Sequence, residues 1–350
     1  MQQYVDALRD ELVARAPSFS DECVDTIYWG GGTPSQLSPD MLASVFSVIS
    51  DYYNVSGTAE ITIEANPDDL SESYLLALSR LPFNRISLGV QSFSDDELKM
   101  LNRRHTAEEA ASAVARCRLL AGINNISIDL MYGLPGQTIA IWSQTLDKAL
   151  SLGVQHISAY HLTYEKGTAF YARLCRNELA EVDEELSLSM FELLRSRLSE
   201  AGFVHYEISN FALPGFRSRH NSSYWSDIPY LGIGAAAHSF VDGRRSWNVS
   251  DLNSYIEQVE MGSIMPEYDD CNEYTRYNDF VMTSLRTCDG LSLKILENKF
   301  GAELSRYCLA EASVYLENGS LIRRGESLYL SDNALFLSDA IISSLLFVND

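Results

Sequence analysis

Groups able to bind a polar ligand recur at intervals through the first half of this 350-residue chain, each just after a β-branched or aromatic run. TIYW (26–29) runs into Gly30, Gly31, Gly32 and Thr33, and AEITIEA (59–65) closes on Glu64, Ala65 and Asn66. NRISLGV (84–90) closes on Gly89, Val90 and Gln91, and NISIDLMYG (125–133) carries Asp129, Tyr132 and Gly133. HISAYHL (156–162) brings Tyr160, His161 and, just beyond, Thr163. These residues serve poorly as filler and well in a site. Successive glycines either make a tight turn or let a ligand touch main chain. Any one set is equally an ordinary turn or helix cap; five in register point to a ligand pocket.

Strands are expected at about 24–29, 59–65, 84–90, 125–133 and 156–162, because each run is β-branched or aromatic and ends in turn residues. Helical spacing fills the gaps at about 40–53, 71–81, through 121, and 138–152. Strands alternating with helices make βαβ units and a parallel sheet. Without a dinucleotide-binding fingerprint, five such units favour a full or partial (β/α) barrel, whose active site gathers at the C-terminal strand ends. The chain opens with a helix (Tyr4, Val5, Leu8, Leu12, Val13), so the series lacks a first strand.

Beyond residue 163 the pattern loosens. A helix at about 182–201 precedes FVHYEISNFALPG and RHNSSYWSDIPYLGIGAAAHSF. Gly232, Gly234 and Ala237 match G-x-G-x-x-A, but Pro229 lies just ahead and VDGRR just behind, leaving no room for the helix a dinucleotide needs. From 266, helices at 272–287, 292–299 and 302–317, a hairpin turning near Gly325 and Glu326, and a short last helix read as a smaller, mainly helical, winged-helix-like domain. The expected division is 1–165, 166–265 and 266–350.

Hydrophobic content of 46% and charged content of 21% place the chain among globular proteins. No stretch reaches the roughly 20 apolar residues of a bilayer span, and the opening 17 residues lack a signal peptide's apolar run. A formal net charge of −22 argues against nucleic acid and against an anionic membrane surface. Cys23, Cys117, Cys175, Cys271, Cys288 and Cys308 form no C-x-x-C pair, so reduced thiols in a cytoplasmic protein are expected.

Several long motifs in order give the chain a resemblance from end to end. VDTIYWGGGTPSQLSP, ITIEANPDDL, RISLGVQSFSDDELKMLNRRHT, ISIDLMYGLPGQT, HISAYHLTYEKGTAFY and LRTCDGLSLKILENKFG resemble the radical S-adenosylmethionine (SAM) proteins related to oxygen-independent coproporphyrinogen III oxidase. YEISNFALPGFRSRHNSSYW resembles the heme-chaperone branch, marked by H-N-x-x-Y-W. The resemblance implies that Gly31, Gly32, Thr33, Glu64, Gln91, Arg103 and Asp129 bind SAM. A guanidinium suits the methionine carboxylate, and carboxylates suit its amino group or the ribose hydroxyls. Read without the resemblance, Arg103 is a solvated helix charge and Gln91 a cap.

The resemblance also implies heme contact at His220, Asn221, Tyr224 and Trp225, with His220 as candidate iron ligand and His238 as a further candidate. A lone histidine is otherwise most often structural. The family's 4Fe-4S cluster is held by C-x-x-x-C-x-x-C after the first barrel strand, and this sequence has neither, so the chain is expected to begin after that segment. As written it is expected neither to hold the cluster nor to cleave SAM. The function implied is a heme chaperone delivering heme to an acceptor protein. The alternatives are the oxidase, which decarboxylates two propionates of coproporphyrinogen III, and a cofactor-free interaction protein keeping the barrel.

Overall fold

The computed structural model describes residues 1–269 and 271–348. After α1 (Gln2–Arg15), strands and helices alternate: β1 (Cys23–Trp29), α2 (Pro39–Tyr52), β2 (Asn54–Ala65), α3 (Glu72–Leu78), β3 (Arg85–Gln91). The series continues with α4 (Asp95–Met100), α5 (Ala107–Arg116), β4 (Asn125–Tyr132), α6 (Ile139–Ser151) and β5 (His156–His161). Strands β1 to β5 lie side by side in chain order and pair in parallel. Right-handed crossovers that always step the same way put every connecting helix on one face of the sheet. The other face carries none of these connecting helices.

Strand alternation matches this division. Ile61, Ile63, Ile86, Leu88, Ile126 and Ile128 belong to the large apolar core beneath the helices. On the same strands, Thr26, Glu60, Arg85, Ser87, Asp129 and Ser158 occupy the alternate positions of the opposite, concave face. A parallel sheet covered on both faces reads as near-continuous apolar runs; this one alternates because its inner face is polar. The architecture is therefore a partial barrel of α/β type.

Two more strands close the far edge. After α7 (Ala169–Cys175) and α8 (Glu184–Glu200), β6 (Val204–Glu207) and β7 (Asn210–Ala212) join in the order β5-β7-β6, both pairings antiparallel. Next come α9 (Arg219–Tyr224), a hairpin of β8 (His238–Val241) and β9 (Arg244–Trp247), α10 (Leu252–Glu260) and the short β10 (Glu267–Tyr268) beside β9. The G-x-G-x-x-A run leads into β8 rather than a helix, as its flanks imply. Its glycines serve packing: a Cβ on Gly232 would lie 2.1 Å from the His238 carbonyl oxygen, and one on Gly234 2.6 Å from the Tyr4 hydroxyl.

Helix α1 is tied to this region by a buried carboxylate. Glu11, 0% exposed, accepts from the Gly234 N–H at 2.9 Å, Asn248 Nδ2 at 2.9 Å and the Tyr255 hydroxyl at 2.7 Å. Arg15, one turn on, adds an ion pair at 3.1 Å. A buried carboxylate is tolerable only when its oxygens are so engaged.

The C-terminal part has its own core. It comprises α11 (Glu273–Leu285), β11 (Leu291–Ser292), α12 (Leu293–Glu317), β12 (Leu321–Arg324), β13 (Ser327–Leu330) and α13 (Ser338–Ser344), with sheet order β11-β13-β12. The separate helices expected at 292–299 and 302–317 are the two arms of α12, broken at Gly301 (φ 80°, ψ 173°). Tyr277, Val281, Leu296, Cys308, Leu321 and Leu328 fill the core, while Leu335 and Phe336 pack against the barrel core instead.

Candidate functional site at the barrel rim

The C-terminal ends of β1 to β4 converge. Gly30, Gly31 and Gly32 need to be glycine for different reasons. A Cβ on Gly30 would sit 2.5 Å from the Tyr28 ring and 3.1 Å from Glu64 Oε1, so packing excludes it. Gly31 (φ +80°) and Gly32 (φ +61°) are left-handed, with nothing within 4 Å of where a Cβ would stand. That open space beside bare backbone is room for a ligand. Thr33 closes the turn, its carbonyl accepting from Gln36 N at 3.0 Å.

Glu64, at the tip of β2, holds this loop: its Oε2 accepts from Gly31 N at 3.2 Å and its Oε1 from the Tyr28 hydroxyl at 2.7 Å. A second group stands at the tips of β2 and β3. Arg103 Nη1 donates to Asn66 Oδ1 at 3.1 Å. Gly89 lies so close beneath them that its Cβ would be 3.2 Å from Gln91 Nε2 and 3.5 Å from Arg103 Nη2. Gln91 itself takes the left-handed region (φ 70°), a conformation costing a non-glycine residue about 1 kcal/mol. Arg103 is thus no solvated helix charge.

Asp129 on β4 interacts with both groups. Burial first, opposed by a hydrogen bond from Ser158, and then the nearby charge of Glu64 push its pKa up to about 6. Ser87 donates to its Oδ1 at 3.3 Å. Burial also lowers the pKa of Arg103, opposed by the charge of Asp129. A cation, two carboxylates, an amide and two open glycines therefore share one rim. Asn66, Tyr28 and Ser158 belong to it as well. The adjacency of Asn66 to Glu64 was the signal in the sequence; nothing marked Ser158.

The HNSSYW segment lies in α9, with Trp225 just past its end, on the inner face beside β1 and β2. Its N-terminus is held by the buried Glu60, which accepts from the Arg219 and His220 N–H groups at 3.1 and 3.0 Å. The His220 ring stacks on Tyr28 with centroids 4.8 Å apart. Its Nδ1 meets Thr26 Oγ1 at 2.8 Å and its Nε2 the Tyr224 hydroxyl at 2.8 Å. Burial and then the charge of Arg85 lower its pKa to about 4, so the ring is neutral at pH 7. Asn221 receives its helix cap from Ser218 (3.2 Å). His238 has Trp247 as its ring neighbour, whereas those of His220 are Tyr28 and Tyr224.

Trp225 meets a residue that the sequence did not single out. The Arg286 guanidinium lies 5.8 Å from its ring centroid. Arg286 also lines a cavity of about 670 Å³ bounded by the tips of β4 and β5, the β6–β7 turn and the segment before α13, with Gln91 and Asp129 in its wall.

A (β/α) sheet wound one way, with a polar concave face and a glycine loop at its first rim, defines the radical SAM class of partial barrel. The sequence profile of the radical SAM superfamily matches residues 4–149, and that of the HemN C-terminal domain residues 273–337. The heme chaperone HemW of Bacillus subtilis is 33% identical over 98% of this chain and 91% of its own length. The heme chaperone HemW of Mycobacterium tuberculosis H37Rv is 34% identical over 97% of this chain and 85% of its own. The structure of Escherichia coli coproporphyrinogen III oxidase (HemN) superposes with a TM-score of 0.84 at 22% identity, covering 99% of this chain and 83% of that one. The chain belongs to the radical SAM, HemN-like family.

The family implies SAM and a 4Fe-4S cluster. The open glycines and the surrounding charges fit SAM. The cysteines do not fit the cluster: Cys23 begins β1 at the end away from the rim, and Cys117 and Cys308 are buried in the two cores. Among the described residues, no three His, Cys, Asp or Glu side chains gather as metal ligands. Nor, among them, is any helix long and apolar enough to cross a membrane.

Proposed function

We propose that this chain is a heme chaperone of the HemW type, binding heme and passing it to an acceptor protein, with SAM held at the barrel rim. The observation that carries this reading is the roughly one-third identity to HemW chaperones over nearly the whole chain. In the reading, the Gly31 and Gly32 main chain lies against the methionine portion of SAM. Arg103 takes its carboxylate, while Glu64, Gln91 and Asp129 accept from or donate to its amino group and ribose hydroxyls. Thr33 fixes the turn that presents the glycines.

Heme contact falls to α9 and Trp225. His220 is neutral at pH 7 and keeps a lone pair for iron, which it offers once the Tyr224 hydroxyl, on a side chain 42% exposed, swings away. Neutral imidazole is a common axial ligand of heme iron, which is the chemistry the bound heme would present to it. The test is a hemin titration of the purified chain followed at the Soret band. Saturable binding that weakens in His220→Ala supports the reading; no saturable binding, or an unchanged curve in the variant, sinks it.

A further inference from the structure

Arg286 is the one arginine or lysine among the described residues lining the cavity between the barrel rim and the C-terminal domain. Around it Met131, Leu162, Phe191 and Phe336 form an apolar side, and Asp129 and His161 stand on a polar one. The volume, about 670 Å³, is that of a small-molecule site. An apolar side next to one fixed cation suits a flat apolar body that carries a carboxylate.

The guanidinium is held ready for such a group. Trp225 covers it at 5.8 Å. Nε is buried without a partner among the described residues. Glu207 Oε1 reaches Nη2 only at 3.5 Å, the outer limit of a hydrogen bond, while its Oε2 accepts from Ser209 N at 3.1 Å and Asn210 Nδ2 at 2.5 Å. The nearer anion is Asp339, 3.0 Å from Nη1, whose side chain is 85% exposed. An exposed ion pair is worth little, so a ligand carboxylate arriving from the cavity can take its place with a better-desolvated, two-pronged contact.

We infer that this cavity seats a propionate-bearing tetrapyrrole, with Arg286 as the anchor for a propionate carboxylate and Asp339 as its resident substitute. The inference deepens the heme reading and rests on it. It connects α9 to the cavity, since Arg286 touches Trp225 on one side and the cavity on the other.

The test titrates hemin and hemin dimethyl ester, which lacks free carboxylates, into the full-length chain and its variants. The wild type should prefer hemin by on the order of tenfold, the value of one charge-assisted contact. Arg286→Met should lose that preference while binding the ester as the wild type does, and the retained ester affinity reports an intact fold. Asp339→Asn should bind hemin a few-fold more tightly, because it removes the competitor. Wild type binding hemin and ester equally, or Arg286→Met keeping the full preference, overturns the inference and leaves the heme reading standing. Wild type binding neither overturns both.

Discussion

At the scale of single residues, Glu11 and Asp129 show how a buried carboxylate behaves with and without enough donors. Glu11 has three neutral donors and Arg15. Glu11→Ala should cost about 3–5 kcal/mol in urea unfolding, because Gly234 N, Asn248 and Tyr255 lose their acceptor and Arg15 its partner. Glu11→Gln should cost less. Asp129 has fewer donors and its pKa is raised to about 6. In the proposed SAM contact only the ionised form would accept from two ribose hydroxyls, so SAM affinity by calorimetry should be flat above about pH 6 and fall up to tenfold per unit below it. Asp129→Asn should bind weakly at every pH. Gly31→Ala forces an L-residue into φ +80°, at about 1–2 kcal/mol, and puts a methyl group in the open space. Its loss of SAM affinity should exceed that of Gly122→Ala, a left-handed glycine (φ +70°) closing the helical turn 117–121 that follows α5.

At the scale of elements, the parallel strands were legible because period-2 runs ended each time in turn residues. The rim was legible for the same reason: Glu64, Gln91 and Asp129 sit where alternation stops burying apolar side chains. Arg286 lies inside the quoted LRTCDGLSLKILENKFG run but nothing there sets it apart, because it caps the end of α11 and gains meaning only when α9 is folded beside it. Strands β6 and β7, four and three residues long, and the β8–β9 hairpin are too short to carry a period. The sequence predicts β2 from 59, yet it begins at Asn54, pairing Val55 with Val24 across a register shift. Gly301 is an element-scale device: its φ 80°, ψ 173° belongs to a region open essentially to glycine alone. Gly301→Ala should therefore destabilise the C-terminal core by about 1–3 kcal/mol in denaturant titration while leaving SAM binding intact.

For the molecule as a whole, the two large cores meet through Leu335 and Phe336, an Arg286–Glu207 pair at 3.5 Å and an Arg195–Asp332 pair at 2.6 Å. His205, stacked on Phe211 at 4.1 Å, is half-buried, and loss of solvation lowers its pKa to about 4, as it does that of His220. Such rings take up protons more readily in the unfolded chain, so the stability they contribute is complete above about pH 6.5 and lost as pH falls toward 4. Asp129 works in the opposite sense, its contribution being lost as pH rises toward 6. His205→Phe should narrow the gap between melting temperatures at pH 7 and pH 5. Finally, the bond between Glu11 and Tyr255 spans 244 residues. On a ribosome adding about 5–20 residues per second, the opening helix waits roughly 10–50 s for its last donor to be made. Until then its carboxylate has only water and Arg15 to satisfy it, and the nascent helix must remain undocked, open to chaperones and proteases.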